Sequence, residues 1–266
     1  MSSSRSSPQH RKKPSTTTNA TTTLRILCMG NSLTSGHPSG HPYAHALKER
    51  LEKMLPEVKE VECVVEGLPG DMVAPGRGGF LGRMEGRWNE AKEPFDWTIV
   101  LGGTNDLPWG HTVPDTIQGL KNAWDVPLSR GGKVLALTIP DTKFQAPSLT
   151  EKRDAVNDAI KGYKKPNFFH FDLHAAVPYH AMPPSDRPKY WEMDGVHFSA
   201  AGYDLVGRRI ADALARLIRL REAQDTDIMG DARQRRMIEE LCYEEERGDP
   251  KLLSQGYIVV RKKDLD

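Results

Sequence analysis

Two patterns in the sequence predict a doubly wound α/β sheet. Five short, continuous, β-rich apolar runs recur between residues 24 and 222, and helical periodicity lies between them. Runs without polar alternation suit strands covered on both faces, the condition of a parallel sheet. Strands that alternate with helices return to one sheet by right-handed crossovers.

The first run is Leu24–Met29, ending at Gly30. His41–Leu55 then places Ala44, Leu47, Leu51 and Leu55 at helical spacing, with Pro42 suited to a first turn. Val61–Val65 is the second strand, ending at Glu66-Gly67, and Trp97–Leu101 the third, ending at Gly102-Gly103. Lys133–Ile139 is the fourth, ending at Pro140, and Asn167–Leu173 the fifth. Thr150–Tyr163 reads as a helix, as does Ser199–Leu220, which carries Val206, Ile210, Ala213, Leu214 and Leu217 along one side.

Two segments differ from this alternation. Residues 1–23 are Ser/Thr-rich and contain Arg5, Arg11, Lys12 and Lys13 but no acid. They lack the apolar stretch of a secretory signal, and Pro8 and Pro14 oppose the amphipathic helix of a transit peptide. The expectation is a disordered leader on an intracellular, cytoplasmic protein. Residues 223–266 read as an appendage of unknown role, with a helix over Asp231–Arg247 and a strand over Tyr257–Val260. Residues 24–222 would then form one α/β domain.

Composition excludes several classes. With 38% apolar and 27% charged residues, a packed core is feasible and global disorder is not expected. No window approaches 18 consecutive apolar residues, so no membrane span is expected. Lys+Arg 37 against Asp+Glu 36 rules out a generally basic surface for nucleic acid. Cys28, Cys63 and Cys242 build no disulfide scaffold and no C-x-x-C zinc pair. Oligomeric state is not legible in the sequence.

In an open α/β sheet, ligands bind beyond the carboxyl ends of the strands. Those ends carry Gly30-Asn31-Ser32-Leu33-Thr34, Gly67-Leu68-Pro69-Gly70-Asp71 and Gly102-Gly103-Thr104-Asn105-Asp106. Asp194-Gly195-Val196-His197-Phe198 precedes the last helix. A serine, glycine amides, an asparagine amide and an Asp/His pair are the parts that acyl transfer needs. Each alone has a plain alternative. Ser32 suits a turn or helix cap and is not in a G-x-S-x-G elbow, because Thr34 replaces the second glycine. Asn105 suits a turn, Gly70 a left-handed backbone, and Asp194 a cap beside a surface His197.

In combination and in this order, the four blocks resemble those of the GDSL-type, or SGNH, hydrolases. Gly30-Asn31-Ser32-Leu33 resembles the first block, with Asn31 where the family often has Asp. Gly70 is the better match to the second-block glycine and Gly67 the poorer. Gly103-Thr104-Asn105-Asp106 resembles the third block and Asp194-Gly195-Val196-His197 the D-x-x-H block. The resemblance spans residues 24–222. It implies a flavodoxin-like three-layer sandwich with a five-stranded parallel sheet of order 2-1-3-4-5. It further implies Ser32 as nucleophile, His197 as general base and Asp194 as its orienting carboxylate. The Ser32 amide, the Gly70 amide and the Asn105 side chain would form the oxyanion hole. The implied activity is hydrolysis of a carboxylic ester of small-molecule type, an O-acetylated sugar being a narrower case, with no cofactor and no metal.

Other residues invite weaker readings. His37, His41 and His45 recur every four residues, but without an H-E-x-x-H glutamate they border the cleft or solvate a helix face. Asp141 faces the cleft or caps a helix; His170, His174 and His180 surround the fifth strand. Cys28 and Cys63 read as small core residues. Trp109 and Tyr190-Trp191 line a pocket or pack loops. The rival to an enzyme is a flavodoxin-like binding module, with Ser32-Leu33-Thr34-Ser35-Gly36 cradling a phosphate, or a pseudoenzyme of the same fold. The binding module leaves Asn105, Asp194 and His197 without a purpose.

Overall fold

The structure is a computed structural model and describes residues 23–76, 79–225, 244–247 and 258–261. Five strands, β1 (Thr23–Gly30), β2 (Glu60–Gly67), β3 (Trp97–Leu101), β4 (Lys133–Leu137) and β5 (Phe168–Phe171), lie in one sheet. Their order is β2-β1-β3-β4-β5 and every pairing is parallel. The order therefore agrees with the expectation. The helices are α1 (Ser32–Ser35), α2 (Ala44–Met54), α3 (Phe80–Glu90), α4 (Val113–Ser129), α5 (Pro147–Gly162), α6 (Leu173–Ala176), α7 (Arg187–Tyr190) and α8 (Ala200–Asp225).

Strand alternation sends successive side chains to opposite faces. Ile26 and Cys28 join a cluster with Leu47 and Leu51 of α2 and Ile210 and Leu214 of α8. Leu27 and Met29 join the other cluster, with Met84 and Trp88 of α3, Trp124 of α4 and Ile160 of α5. Burying each such aliphatic side chain contributes about 1.5–3 kcal/mol. A close approach seats α2 against α8. A Cβ on Gly207 would lie 2.2 Å from the Tyr43 carbonyl oxygen, so any larger residue would push the two helices apart.

Several boundaries move for identifiable reasons. The helix expected from His41 begins at Ala44, because a turn closed by the His45 amide on the Pro42 carbonyl comes first. The fourth strand stops at Leu137, not Ile139, where Asn157 takes over the Ile139 backbone with its amide oxygen (2.7 Å) and nitrogen (3.0 Å). The fifth ends at Phe171 because Asp172 caps α6, accepting from the Ala175 amide at 3.1 Å. The last helix continues to Asp225, past its expected end at Leu220 and past the expected domain boundary at 222. The helix expected over Asp231–Arg247 is corrected at its described end. Glu244–Arg247 (β6) is a strand, antiparallel to Ile258–Arg261 (β7). The β-branched Ile258, Val259 and Val260 favour extended chain, and their backbone groups need a partner strand. The rest of that expected helix, Tyr257, Cys242 and residues 1–22 of the leader lie outside the described residues. Among the described residues, no helix is long and apolar enough to cross a membrane.

Candidate active site

The strand order makes the loops after β1, β2 and β3 neighbours at one sheet edge. Ser32 opens α1 directly after β1 and is 7% exposed. Asn31 caps this short helix, its Oδ1 accepting from the Leu33 amide at 3.1 Å. The asparagine side chain thus supplies the capping bond that a carboxylate could also make. Its Nδ2 is buried with no partner among the described residues.

Asp194 and His197 are held on one tight turn. Asp194 Oδ1 accepts from the amides of Val196 (2.8 Å) and His197 (3.0 Å), while Gly195 takes φ +64°, a left-handed conformation that glycine adopts without strain. Asp194 Oδ2 lies 2.7 Å from His197 Nδ1, and His197 Nε2 lies 3.0 Å from Ser32 Oγ. A carboxylate only accepts, so the network assigns the proton to Nδ1 and leaves the Nε2 lone pair facing the serine hydroxyl. Burial pulls the Asp194 carboxyl upward. The His197 ring and the two amides outweigh it, and the group is held below its ordinary value.

The second and third loops are laced together. Asn105 Nδ2 donates to the Asp71 carbonyl at 2.9 Å. Asp106 is fully buried and accepts from the amides of Val73 (3.2 Å) and Ala74 (2.7 Å). Gly70 has φ +79° and open space where a Cβ would stand. The structure therefore brings Ser32, His197 and Asp194 into one hydrogen-bonded line. It sets Gly70 and Asn105 on the adjoining loops.

A cavity of about 400 Å³ opens beside this line. Asn105, Leu107, Ile139, Phe144, Leu149 and Val196 are among its walls. Trp109, on the loop after Asn105, is 73% exposed and does not pack the loop. Trp191 is the opposite case, buried with its ring centroid 4.4 Å from that of Phe198.

The remaining candidates separate. His37 stacks edge-on against His197, centroids 4.8 Å apart, and so borders the site. His41 bonds Asp204 at 2.8 Å, tying the turn before α2 to α8, with His45 edge-on beside it. Asp141 caps no helix; it is buried in an ion pair with Arg153 at 2.8 Å and accepts from the His180 amide. Cys28 is buried, and contact with the Cys63 thiol, together with burial, pushes its thiol up. That suits a core residue and not a nucleophile.

Sequence reading missed Arg83. Its guanidinium reaches Asp71, Glu66 and Gly30 under the site loops. The signal was present in Phe80, Met84 and Trp88, spaced four apart, which place Arg83 on a helix entering the site from β2.

The sequence model of the GDSL-like lipase/acylhydrolase family matches residues 28–205. No curated protein sequence matches the chain. Among solved structures, a carbohydrate acetylesterase from Sinorhizobium meliloti is similar at 20% identity and TM-score 0.56, covering 72% of this chain and 98% of that one. An aryl esterase from M. smegmatis is similar at 19% identity and TM-score 0.53, covering 73% and 98%. A lipase/acylhydrolase from Enterococcus faecalis is similar at 22% identity and TM-score 0.54, covering 71% and 94%. At these identities the structures share the fold.

Proposed function

This chain belongs to the GDSL-like lipase/acylhydrolase family, and on that premise we propose that it hydrolyses a carboxylic ester through an acyl-enzyme on Ser32. The family makes it a hydrolase acting on esters. The observation that carries the finer reading is the continuous line from Asp194 through His197 to Ser32, at 2.7 and 3.0 Å.

In this reading His197 Nε2 takes the Ser32 proton as Oγ attacks the ester carbonyl. The tetrahedral oxyanion is met by the Ser32 and Gly70 amides and the Asn105 side chain. His197 gives its proton to the departing alcohol oxygen, leaving an acyl-serine. Water, deprotonated by the same nitrogen, then releases the acid and restores the serine. Asp194 keeps the imidazole in one tautomer and stabilises its cation. No step needs a cofactor.

The proposed substrate is a small acyl ester, with an O-acetylated sugar as the narrower case. Carbohydrate acetylesterase and aryl esterase activities in the names of structurally similar proteins support that range. The test is a rate profile with aryl esters of increasing acyl length beside acetylated sugars, with Ser32→Ala in parallel. Ester turnover that vanishes in Ser32→Ala supports the reading. Turnover that persists in that variant, or none on any ester, refutes it.

A further inference from the structure

All five N–H groups of Arg83 are engaged with the loops that carry the proposed oxyanion donors. Nη2 donates to the Gly30 carbonyl at 2.9 Å, two residues before Ser32. Nη1 donates to the Glu66 carbonyl (3.1 Å) and carboxylate (2.9 Å) at the end of β2. Nε and Nη2 both reach Asp71 Oδ2, at 3.0 and 2.6 Å, directly after Gly70.

Asp71 extends the link to the third loop. Its carbonyl accepts the Asn105 amide at 2.9 Å, its own N–H donates to Leu68, and its Oδ1 accepts from Gly79 at the start of α3. One ion pair thereby touches the segment preceding Ser32, the residue following Gly70 and the side chain of Asn105.

The pair is deep, with Arg83 17% and Asp71 3% exposed at the side chain. A buried pair gives no clear net stability, since apolar residues of like volume often serve as well. What a guanidinium adds is a rigid planar fork of donors at fixed angles. Oxyanion donors stabilise charge only when they are already in place as it develops. We propose that Arg83 and Asp71 are positioning residues that fix the separation of the Ser32, Gly70 and Asn105 donors. The proposal rests on the oxyanion-hole reading above. It makes the pair a determinant of kcat beyond its part in anchoring α3.

The experiment measures kcat per active site, titrated with a fluorophosphonate, together with KM and melting temperature. Arg83→Met is expected to lower kcat between about tenfold and about a hundredfold, the scale of a misplaced catalytic group. KM should stay within about twofold, because the ground-state carbonyl carries no full charge. Arg83→Lys keeps a cation beside Asp71 but lacks the fork, so kcat falls there too; it decides the matter if Arg83→Met does not fold. Asp71→Asn combined with Arg83→Met leaves no charge unpaired, so melting temperature recovers towards wild type while kcat stays low. Arg87→Met, at the exposed neighbour on Glu66, keeps normal kcat. A folded Arg83→Lys or double variant with wild-type kcat per site overturns the proposal. Ser32→Ala run alongside separates the failures. If it is inactive while the Arg83 variants are unimpaired, the positioning role alone falls. If it retains activity, the oxyanion-hole reading falls and takes the positioning role with it.

Discussion

Ser32 Oγ and His197 Nε2 lie 3.0 Å apart although 165 residues separate them in the chain. The contact joins the end of β1 to the turn before α8, with β2, β3, β4 and β5 lying between them in the chain. Its consequence is directional. Because the Asp194 carboxylate only accepts, the hydrogen-bond network assigns the acceptor role to the nitrogen facing the hydroxyl. A fluorophosphonate probe should therefore label Ser32, with labelling lost in Ser32→Ala and strongly slowed in His197→Ala. Mass spectrometry of the labelled peptide is the readout, and a probe found on another residue would remove Ser32 from the role.

Asp194 makes a prediction about pH. Its carboxyl sits below the ordinary value, so it stays ionised while the imidazole exchanges its proton. One proton alone then governs the acid side, and log kcat/KM should rise with unit slope before levelling. Asp194→Asn still accepts from the turn amides but no longer charges the line. Its rate should fall towards the loss of about 10²–10⁴ that general-base catalysis supplies. Stability follows the same sign. The depressed folded value gives a contribution that is full above the unfolded carboxyl value of about 3.9 and lost as pH falls through the folded one. A slope of two on the acid side would show a second group protonating in that range.

Asp106 tests the loop beneath the site. Burial pushes its carboxyl up, and the amides of Ala74 and Val73, which favour the charged form, only partly offset that. A raised acid loses part of its stability as pH climbs from the unfolded value through the folded one. Asp106→Ala strands both amides, at about 1–3 kcal/mol for each buried donor left unpaired. Urea unfolding at neutral pH should show that loss in the midpoint with little change in slope. An unchanged midpoint would mean water replaces the carboxylate without penalty.

The five strands were legible because each holds a short β-rich run of mainly apolar residues, and Ile26, Leu27, Cys28 and Met29 are indeed all buried. Ser32 and Asn105 were legible as motifs at strand ends, and Asp194 with His197 as one short block before the last helix, because within each block the residues that act together are close in sequence. Strand limits were less so. Leu137 ends β4 because Asn157, twenty residues on, captures the next backbone groups. Arg83 was missed for a similar reason: its partners Gly30 and Glu66 lie 53 and 17 residues away. Such partners are fixed by tertiary packing, and no local period reports them. The Glu244–Arg247 strand was read as helix because charge-rich segments have good helix propensity, which pairing with Ile258–Arg261 overrides.

The extent of α8 sharpens a prediction about the domain boundary. Its Ile210, Leu214 and Ala215 are core residues, and the helix runs to Asp225. A chain ending at Asp225 should stay soluble and keep its ester turnover if residues 223–266 are an appendage. Aggregation or lost turnover would show that the segment beyond α8 completes the domain.

Asn105 has the strongest plain alternative, since its side chain already holds a structural bond to the Asp71 carbonyl. An amide nitrogen carries two hydrogens, so this bond occupies one and orients the other. The two readings then diverge in kinetics. If Asn105 only braces the loop, Asn105→Ala lowers melting temperature and leaves kcat of the folded enzyme near normal. If the second hydrogen meets the oxyanion, the loss lies in the transition state. One such donor is worth about 2.7–4 kcal/mol, or about 10²–10³ in kcat. KM should change little. Asn105→Asp separates them further, because a carboxylate cannot donate to the Asp71 carbonyl and would repel the developing charge. It should be at least as inactive as Asn105→Ala. Measuring kcat, KM and melting temperature for both variants decides the case. A folded Asn105→Ala enzyme with normal kcat would assign the side chain to the brace and leave the oxyanion to the two backbone amides.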